Sequence, residues 1–168
     1  MSTKNDKETI RNLIDGTLSW EELRNDVLPD PKASNRFEVV REVLEERVDW
    51  DEPILVPLND HLFVVGSDDG RLVKAECGHE LCSTDENWKL HTEVRVREDP
   101  DQFEELYTEQ QSPHPDWGFQ LREFFCPGCY QLVEVEAVPT GYPILEKFEP
   151  DIDAFYEEWL ETTPPDRR

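Results

Sequence analysis

All four cysteines of this 168-residue chain fall into two tight pairs, and this pattern constrains the fold more than any other feature. The first pair is Cys77 and Cys82, within the segment CGHELC, and the second is Cys126 and Cys129, within CPGC. Proline and glycine between two thiolates let the backbone curl, so that both sulfurs face one ion. The spacing therefore predicts a single zinc site that joins two segments far apart in the chain.

Three ligands belong to every version of this site, namely Cys77, Cys126 and Cys129, and two residues compete for the fourth position. Cys82 would complete a site of four thiolates, and His79 would complete a site of three thiolates and one imidazole. Choosing His79 leaves Cys82 as a spare thiol near an ion that favours thiolates, so Cys82 is preferred. A closed, thiolate-rich site is typical of structural zinc, whereas catalytic zinc keeps one position open for water. The site is expected to clamp two hairpins together.

The net charge of the chain limits the classes of molecule that it is expected to bind. Forty acidic residues and 17 basic residues give a net charge of −23. A surface this negative repels phosphate backbones and anionic membranes, so binding to nucleic acid or to a membrane is not expected. The sequence has no signal-peptide pattern and no apolar run of membrane-spanning length, which predicts a cytoplasmic protein. Thiols stay reduced there, so the cysteines are expected to bind metal rather than to form disulfides.

No catalytic motif accompanies the cysteines. The sequence lacks a phosphate-binding glycine loop, a dinucleotide-binding motif and a nucleophile elbow. His61, His91 and His114 are assigned ordinary surface or core roles. We therefore predict that the chain alone carries no catalytic residue.

The hydrophobic pattern predicts an α+β fold in three parts. Residues 1–50 are expected to form a helical arm, residues 51–140 a small antiparallel β domain of zinc-ribbon type, and residues 141–168 a C-terminal helix and tail. Within the arm, Ser19 and Glu22 form a capping-box pattern at the start of the second helix. Because so short an arm does not easily bury its apolar stripe alone, it is expected either to pack on the zinc module or to reach towards a partner protein, and the partner is preferred.

Two patterns concern the faces of individual elements. Residues 88–97 alternate as a strand does, with one face formed by Leu90, Thr92, Val94 and Val96. The final helix, at about residues 152–161, has one apolar face formed by Ile152, Phe155, Tyr156 and Trp159. This aromatic face is assigned either to the core or to an interface.

The order of the segments resembles one known family. The helical arm leads to ERVDWDEPILVPLNDHLFVV and then to ECGHELCSTDENWKL, and these are followed by DPDQFEELY, REFFCPGCYQLVEVEAVP and FEPDIDAFYEEWL. Along nearly the whole chain this combination resembles the gamma subunit family of acetone carboxylase. The CGHxxC motif, followed by NWK and by CPxC, is far more specific than a single cysteine pair.

The resemblance implies a small, non-catalytic, zinc-binding subunit of an enzyme with alpha, beta and gamma chains, arranged as a heterohexamer. Such an enzyme carboxylates acetone with bicarbonate to form acetoacetate, and it hydrolyses ATP to AMP and phosphate. The ATP, the manganese and the substrate chemistry belong to the alpha and beta subunits. The zinc ligands that the resemblance implies are Cys77, Cys82, Cys126 and Cys129, with His79 in reserve.

Three alternatives stay open at this stage. Related ketone carboxylases and hydantoinase-type enzymes also have small zinc-binding companions, so the ketone itself is not determined. A free-standing zinc enzyme would need a water-accessible ion with three protein ligands. A zinc-ribbon protein that binds nucleic acid is disfavoured by the negative charge.

Overall fold

Two antiparallel sheets organise the chain in a computed structural model that describes residues 7–28, 35–108, 118–146 and 148–167. In chain order the elements are α1 (Lys7–Ile14), α2 (Trp20–Glu22, continued by a π-helical turn, Leu23–Val27), α3 (Arg36–Glu45), β1 (Ile54–Pro57), β2 (Leu62–Ser67), β3 (Gly70–Ala75), β4 (Glu80–Ser83), a 3₁₀ turn (Trp88–His91), β5 (Glu93–Arg97), α4 (Pro100–Glu104), β6 (Phe119–Phe125), β7 (Leu132–Pro139), α5 (Ile152–Ala154, continued by a π-helical turn, Phe155–Trp159) and a 3₁₀ turn (Pro165–Arg167). The predicted α+β class is confirmed. No described helix is long and apolar enough to cross a membrane.

The first sheet has the strand order β1-β2-β3-β4. The predicted turn at Ser67–Gly70 joins β2 to β3, with Leu62 opposite Ala75 at the far end. Gly70 has a φ of 126°, which a residue with a side chain rarely adopts. The turn that carries Cys77 then reverses the chain into β4. This strand was not predicted, because four residues are too few to show an alternating pattern.

The N-terminal helices pack on this first sheet. Leu44 of α3 lies in one buried cluster with Ile54, Phe63 and Val65, and Ile14 of α1 packs against the same cluster. The expectation that the arm reaches away towards a partner was therefore wrong for these helices. The sheet face supplies the apolar surface that the helices lack when considered alone.

The second sheet, of order β5-β6-β7, meets the first in a shared core. Leu62 and Val73 of the first sheet pack in one cluster with Phe124 and Val133 of the second, and Trp88 closes this cluster. Cys126 also lies in the cluster, so the core reaches the cysteines directly.

The predicted strand over residues 88–97 is only half correct. Asn87 accepts a hydrogen bond from the backbone N–H of Lys89 and starts the 3₁₀ turn, so that the strand begins at Glu93. Val94 and Val96 are exposed at the sheet edge, whereas Arg97 is buried. Burial is possible because Arg97 Nε donates to Glu123 at 2.8 Å. Ion pairing thus reverses the burial that hydrophobicity alone predicts.

The C-terminal helix also presents a different face from the predicted one. Ile152 and Tyr156 are buried as expected, but Trp159 is 80% exposed. The backbone N–H of Leu160 donates to Phe155 O, five residues earlier, which is the bonding of a π-helix. This wider turn brings Leu160, instead of Trp159, against the cluster that contains Tyr156.

Candidate metal centre

Three cysteine sulfurs come together where the two sheets meet. The Sγ atoms of Cys77, Cys126 and Cys129 all lie within 4.8 Å of one another. The sulfurs of Cys77 and Cys126 are 3.7 Å apart. Two thiolates that bind one tetrahedral zinc ion at about 2.3 Å are separated by roughly 3.8 Å. The observed spacing is therefore suited to a shared ion and far too long for a disulfide.

The turn after β3 positions Cys77 at the surface. The backbone N–H of Gly78 donates to Ala75 O, and that of Ala75 donates to His79 O, which closes a tight loop around the cysteine. Gly78 has a φ of 89°, a conformation favoured by glycine. The ring of Trp50 packs against this glycine, and its indole N–H donates to Glu76 O at 3.2 Å. The first candidate ligand, Cys77, is thus held by backbone hydrogen bonds of its turn and by an aromatic neighbour.

The turn between β6 and β7 holds the other two candidate ligands, Cys126 and Cys129. The backbone N–H of Tyr130 donates to Cys126 O at 2.8 Å, and that of Cys126 donates to Gln131 O at 2.9 Å. Tyr130 has a φ of 58°, a left-handed conformation that costs a non-glycine residue about 1–2 kcal/mol. Cys126 is buried and Cys129 is exposed, so the group of sulfurs spans from the core to the solvent.

Cys82, the preferred fourth ligand from the sequence, lies outside this group of three sulfurs. It is located on β4 opposite Val73, and its thiol lies 3.8 Å from Glu86 O. Burial, together with the nearby Glu86 carboxylate, raises the pKa of Cys82 to about 11. In this arrangement Cys82 is a partly buried thiol packed against the core.

His79, the alternative fourth ligand, packs directly against the CPGC turn. A Cβ atom added to Gly128 would lie 2.7 Å from His79 Cβ and 3.2 Å from His79 Nδ1. Gly128 lies between Cys126 and Cys129 in the sequence, and its lack of a side chain leaves room for the His79 imidazole. His79 is likewise not one of the three residues whose ligand atoms cluster.

His61 lies beside the cysteines, a position that the sequence did not predict. Its Nδ1 lies 2.9 Å from a carboxylate oxygen of Glu76, and its Nε2 lies 3.4 Å from Gln131 Nε2. These three residues line a cavity of about 190 Å³ together with the clustered cysteines. The hairpin register contains the missed signal, since pairing Leu62 with Ala75 places His61 beside Glu76.

His91 takes no part in the cysteine cluster that the structure describes. His91 pairs with Glu86, with Nε2 3.2 Å from the carboxylate. His114 lies outside the described residues.

The fold and the site together define a small α+β protein with a thiolate cluster suited to a metal ion. The family model described as "Acetone carboxylase gamma subunit" matches residues 48–160. The acetone carboxylase gamma subunit of Xanthobacter autotrophicus is 40% identical over 163 residues, which cover 96% of each chain. The acetophenone carboxylase beta subunit of Aromatoleum aromaticum is 30% identical over 110 residues, which cover 65% of this chain and 78% of that protein. The chain therefore belongs to the acetone carboxylase gamma subunit family, as its motifs suggested.

Proposed function

We propose that this chain is the small, non-catalytic gamma subunit of an ATP-dependent carboxylase that converts acetone and bicarbonate into acetoacetate. The observation that carries the proposal is the 40% identity with the Xanthobacter protein along 96% of both chains. The proposed partners are the alpha and beta subunits of that enzyme, in a cytoplasmic heterohexamer. ATP and manganese are assigned to those larger subunits.

Within this subunit, Cys77, Cys126 and Cys129 are proposed to bind one zinc ion. Support comes from the sulfur separation of 3.7 Å between Cys77 and Cys126 and from the preference of zinc for thiolates. The bound ion would cross-link the end of β3 to the turn between β6 and β7. The placement of His79 against the CPGC turn favours it over Cys82 for the fourth position.

Metal content tests this ligand set. The purified chain is expected to hold one zinc ion per molecule by mass spectrometry of the elements, and Cys126→Ser is expected to lose it. Cys82→Ser is expected to keep the zinc, whereas His79→Ala is expected to bind it more weakly in a chelator competition. Loss of zinc from Cys82→Ser alone would return Cys82 to the ligand set, and a zinc-free parent chain would contradict the site altogether.

The subunit role requires an assay with and without partners. The alpha and beta subunits, reconstituted with this chain, are expected to form acetoacetate from acetone in an ATP-dependent reaction. The metal-loaded chain alone is expected to carboxylate nothing and to hydrolyse no ATP. Measurable turnover by the isolated chain would contradict the non-catalytic role.

A related ketone is the second candidate substrate for the assembled enzyme. The 30% identity with the acetophenone carboxylase beta subunit favours this alternative, because that relative belongs to a carboxylase named for acetophenone, an aromatic ketone. Comparing acetone, butanone and acetophenone in the reconstituted assay distinguishes the two candidates. A higher kcat/KM for acetophenone would replace acetone as the proposed substrate.

A further inference from the structure

A long groove crosses the part of the first sheet that the helices leave open. The cluster around Leu44 includes residues of β1 and β2, with Leu72 of β3 packed against it, and the end of β2 borders a cavity of about 1180 Å³ together with β3 and β4. All four residues of β4, from Glu80 to Ser83, line this groove. β4 is the last strand of its sheet, and no described strand pairs with its outer side. The groove therefore runs along the last strand of the sheet.

The groove carries more negative than positive charge. Two basic side chains, Arg71 and Lys74, line it together with six carboxylates: Asp51, Glu52, Asp68, Asp69, Glu80 and Asp166. Lys74 Nζ lies 2.5 Å from the Glu52 carboxylate and 3.5 Å from that of Glu80. This lysine is almost fully buried, so its positive charge is compensated by carboxylates of the same chain and is not accessible to a partner.

Arg71 is paired within the protein as well. Its guanidinium lies 2.7 Å from Asp166 and 2.7 Å from Asp153. Asp166 reaches the groove because the C-terminal 3₁₀ turn crosses β2 at Gly66, where an added Cβ would lie 2.4 Å from Asp166 Cβ.

Three carboxylates of the groove form no ion pair with any residue that the structure describes. Among the ion pairs of the described residues, none involves Asp51, Asp68 or Asp69. Within the described residues, the groove thus carries unpaired negative charge at Asp51, before β1, and at Asp68 and Asp69, in the β2–β3 turn.

Trp50 provides an aromatic wall for the same groove. Its ring lies 4.9 Å from Lys74 Nζ, in a cation–π contact, and it also packs on Gly78 of the Cys77 turn. A flat aromatic surface next to carboxylates suits the stem and the charged end of a long basic side chain.

We propose that this groove docks an extended segment of a partner chain that carries lysine or arginine side chains and adds to the sheet beside β4. The inference rests on the proposed function, which supplies the alpha and beta subunits as partners. The side of β4 that pairs with no described strand offers backbone hydrogen bonds, and the carboxylates without an ion pair among the described residues select basic side chains. The net charge of −23 accelerates the encounter with such a segment.

Charge removal in the groove tests the docking directly. The variant Asp68→Asn/Asp69→Asn removes two charges and keeps residues suited to the turn. The control Asp101→Asn/Glu104→Gln removes the same charge from α4, on the second sheet. The affinity of each chain for a purified alpha–beta assembly is measured by biolayer interferometry at several salt concentrations. The groove variant is expected to bind about tenfold more weakly with a shallower salt dependence, and the control to stay within about twofold.

Hydrogen exchange of the unaltered complex locates the contact. The amides of Glu80–Ser83 are expected to gain protection when the alpha–beta assembly binds. Protection confined to other elements overturns the proposal, as does equal affinity of the groove variant and its control. A complete lack of binding by the unaltered chain instead overturns the proposed subunit function, and the docking site with it.

Discussion

Replacing Lys89 by alanine is expected to destabilise the second sheet strongly. Lys89 is 1% exposed, and its Nζ lies 2.6 Å from Glu134 and 3.2 Å from Glu136. The same ammonium group lies 5.6 Å from the Trp88 ring and 5.1 Å from the Phe124 ring. The lysine thus connects the 3₁₀ turn to β7 through charge and to the shared core through its aromatic neighbours.

The size of the destabilisation depends on which partners Glu134 and Glu136 keep once Lys89 is removed. Removing one partner of a buried ion pair costs about 3–5 kcal/mol, because the other charge stays buried. Glu136 keeps a second partner, Arg122 Nη1 at 3.3 Å, and Glu134 is partly exposed. These compensations place the expected loss at the lower end, about 3 kcal/mol. For a chain of this length that corresponds to a melting temperature lower by roughly 6–12 °C.

Urea and thermal unfolding, followed by circular dichroism at fixed zinc concentration, measure this loss. Comparison with Lys89→Met separates the contribution of the ammonium charge to stability from that of the apolar stem, because methionine keeps most of the apolar length. In the double variant Lys89→Ala/Glu136→Gln the buried carboxylate that has lost one of its two cationic partners is neutralised, so a coupling of about 1–2 kcal/mol is expected. The reasoning is refuted if Lys89→Ala costs less than about 1 kcal/mol, or if the two substitutions are additive.

Three further expectations concern other parts of the chain. Gly128→Ala is expected to weaken zinc binding, measured by chelator competition, because its methyl group overlaps the imidazole beside the turn; unchanged affinity would contradict that packing. Leu160→Ala is expected to lower the free energy of unfolding in urea by about 2 kcal/mol, and Trp159→Ala by less than about 0.5 kcal/mol. The reverse order would indicate that Trp159, as in a regular α-helix, packs against the core instead of Leu160. The hydrogen bond from Lys74 holds the pKa of Glu52 below its ordinary value, so the stability from this pair is present above the unfolded pKa of about 4.3 and is lost as the pH falls through the lower folded pKa. Thermal unfolding between pH 6 and pH 3, by about one pH unit per step, should therefore show a smaller loss in Glu52→Gln than in the parent, and parallel curves would exclude the linkage.

Short-range signals in the sequence determined the local structure reliably. The capping box of α2 forms as its pattern indicates, with Glu22 accepting from the Ser19 backbone N–H at 2.9 Å. The turn at Ser67–Gly70 and the CPGC turn between β6 and β7 also form where the sequence predicts them. Each of these features depends on residues only a few positions apart, so its energetics are present in the sequence itself.

The sequence by itself determined that three cysteines from two distant segments belong to one cluster, since their types and spacing suit zinc. Only the tertiary structure decided that Cys82 lies outside that cluster and that His61 and Glu76 lie beside it. Side-chain exposure was decided in the same way, because Arg97 is buried by a partner on another strand and Trp159 is turned outward by the π-helical bonding. Such outcomes depend on strand register and on contacts between residues far apart in the chain, which periodicity does not encode.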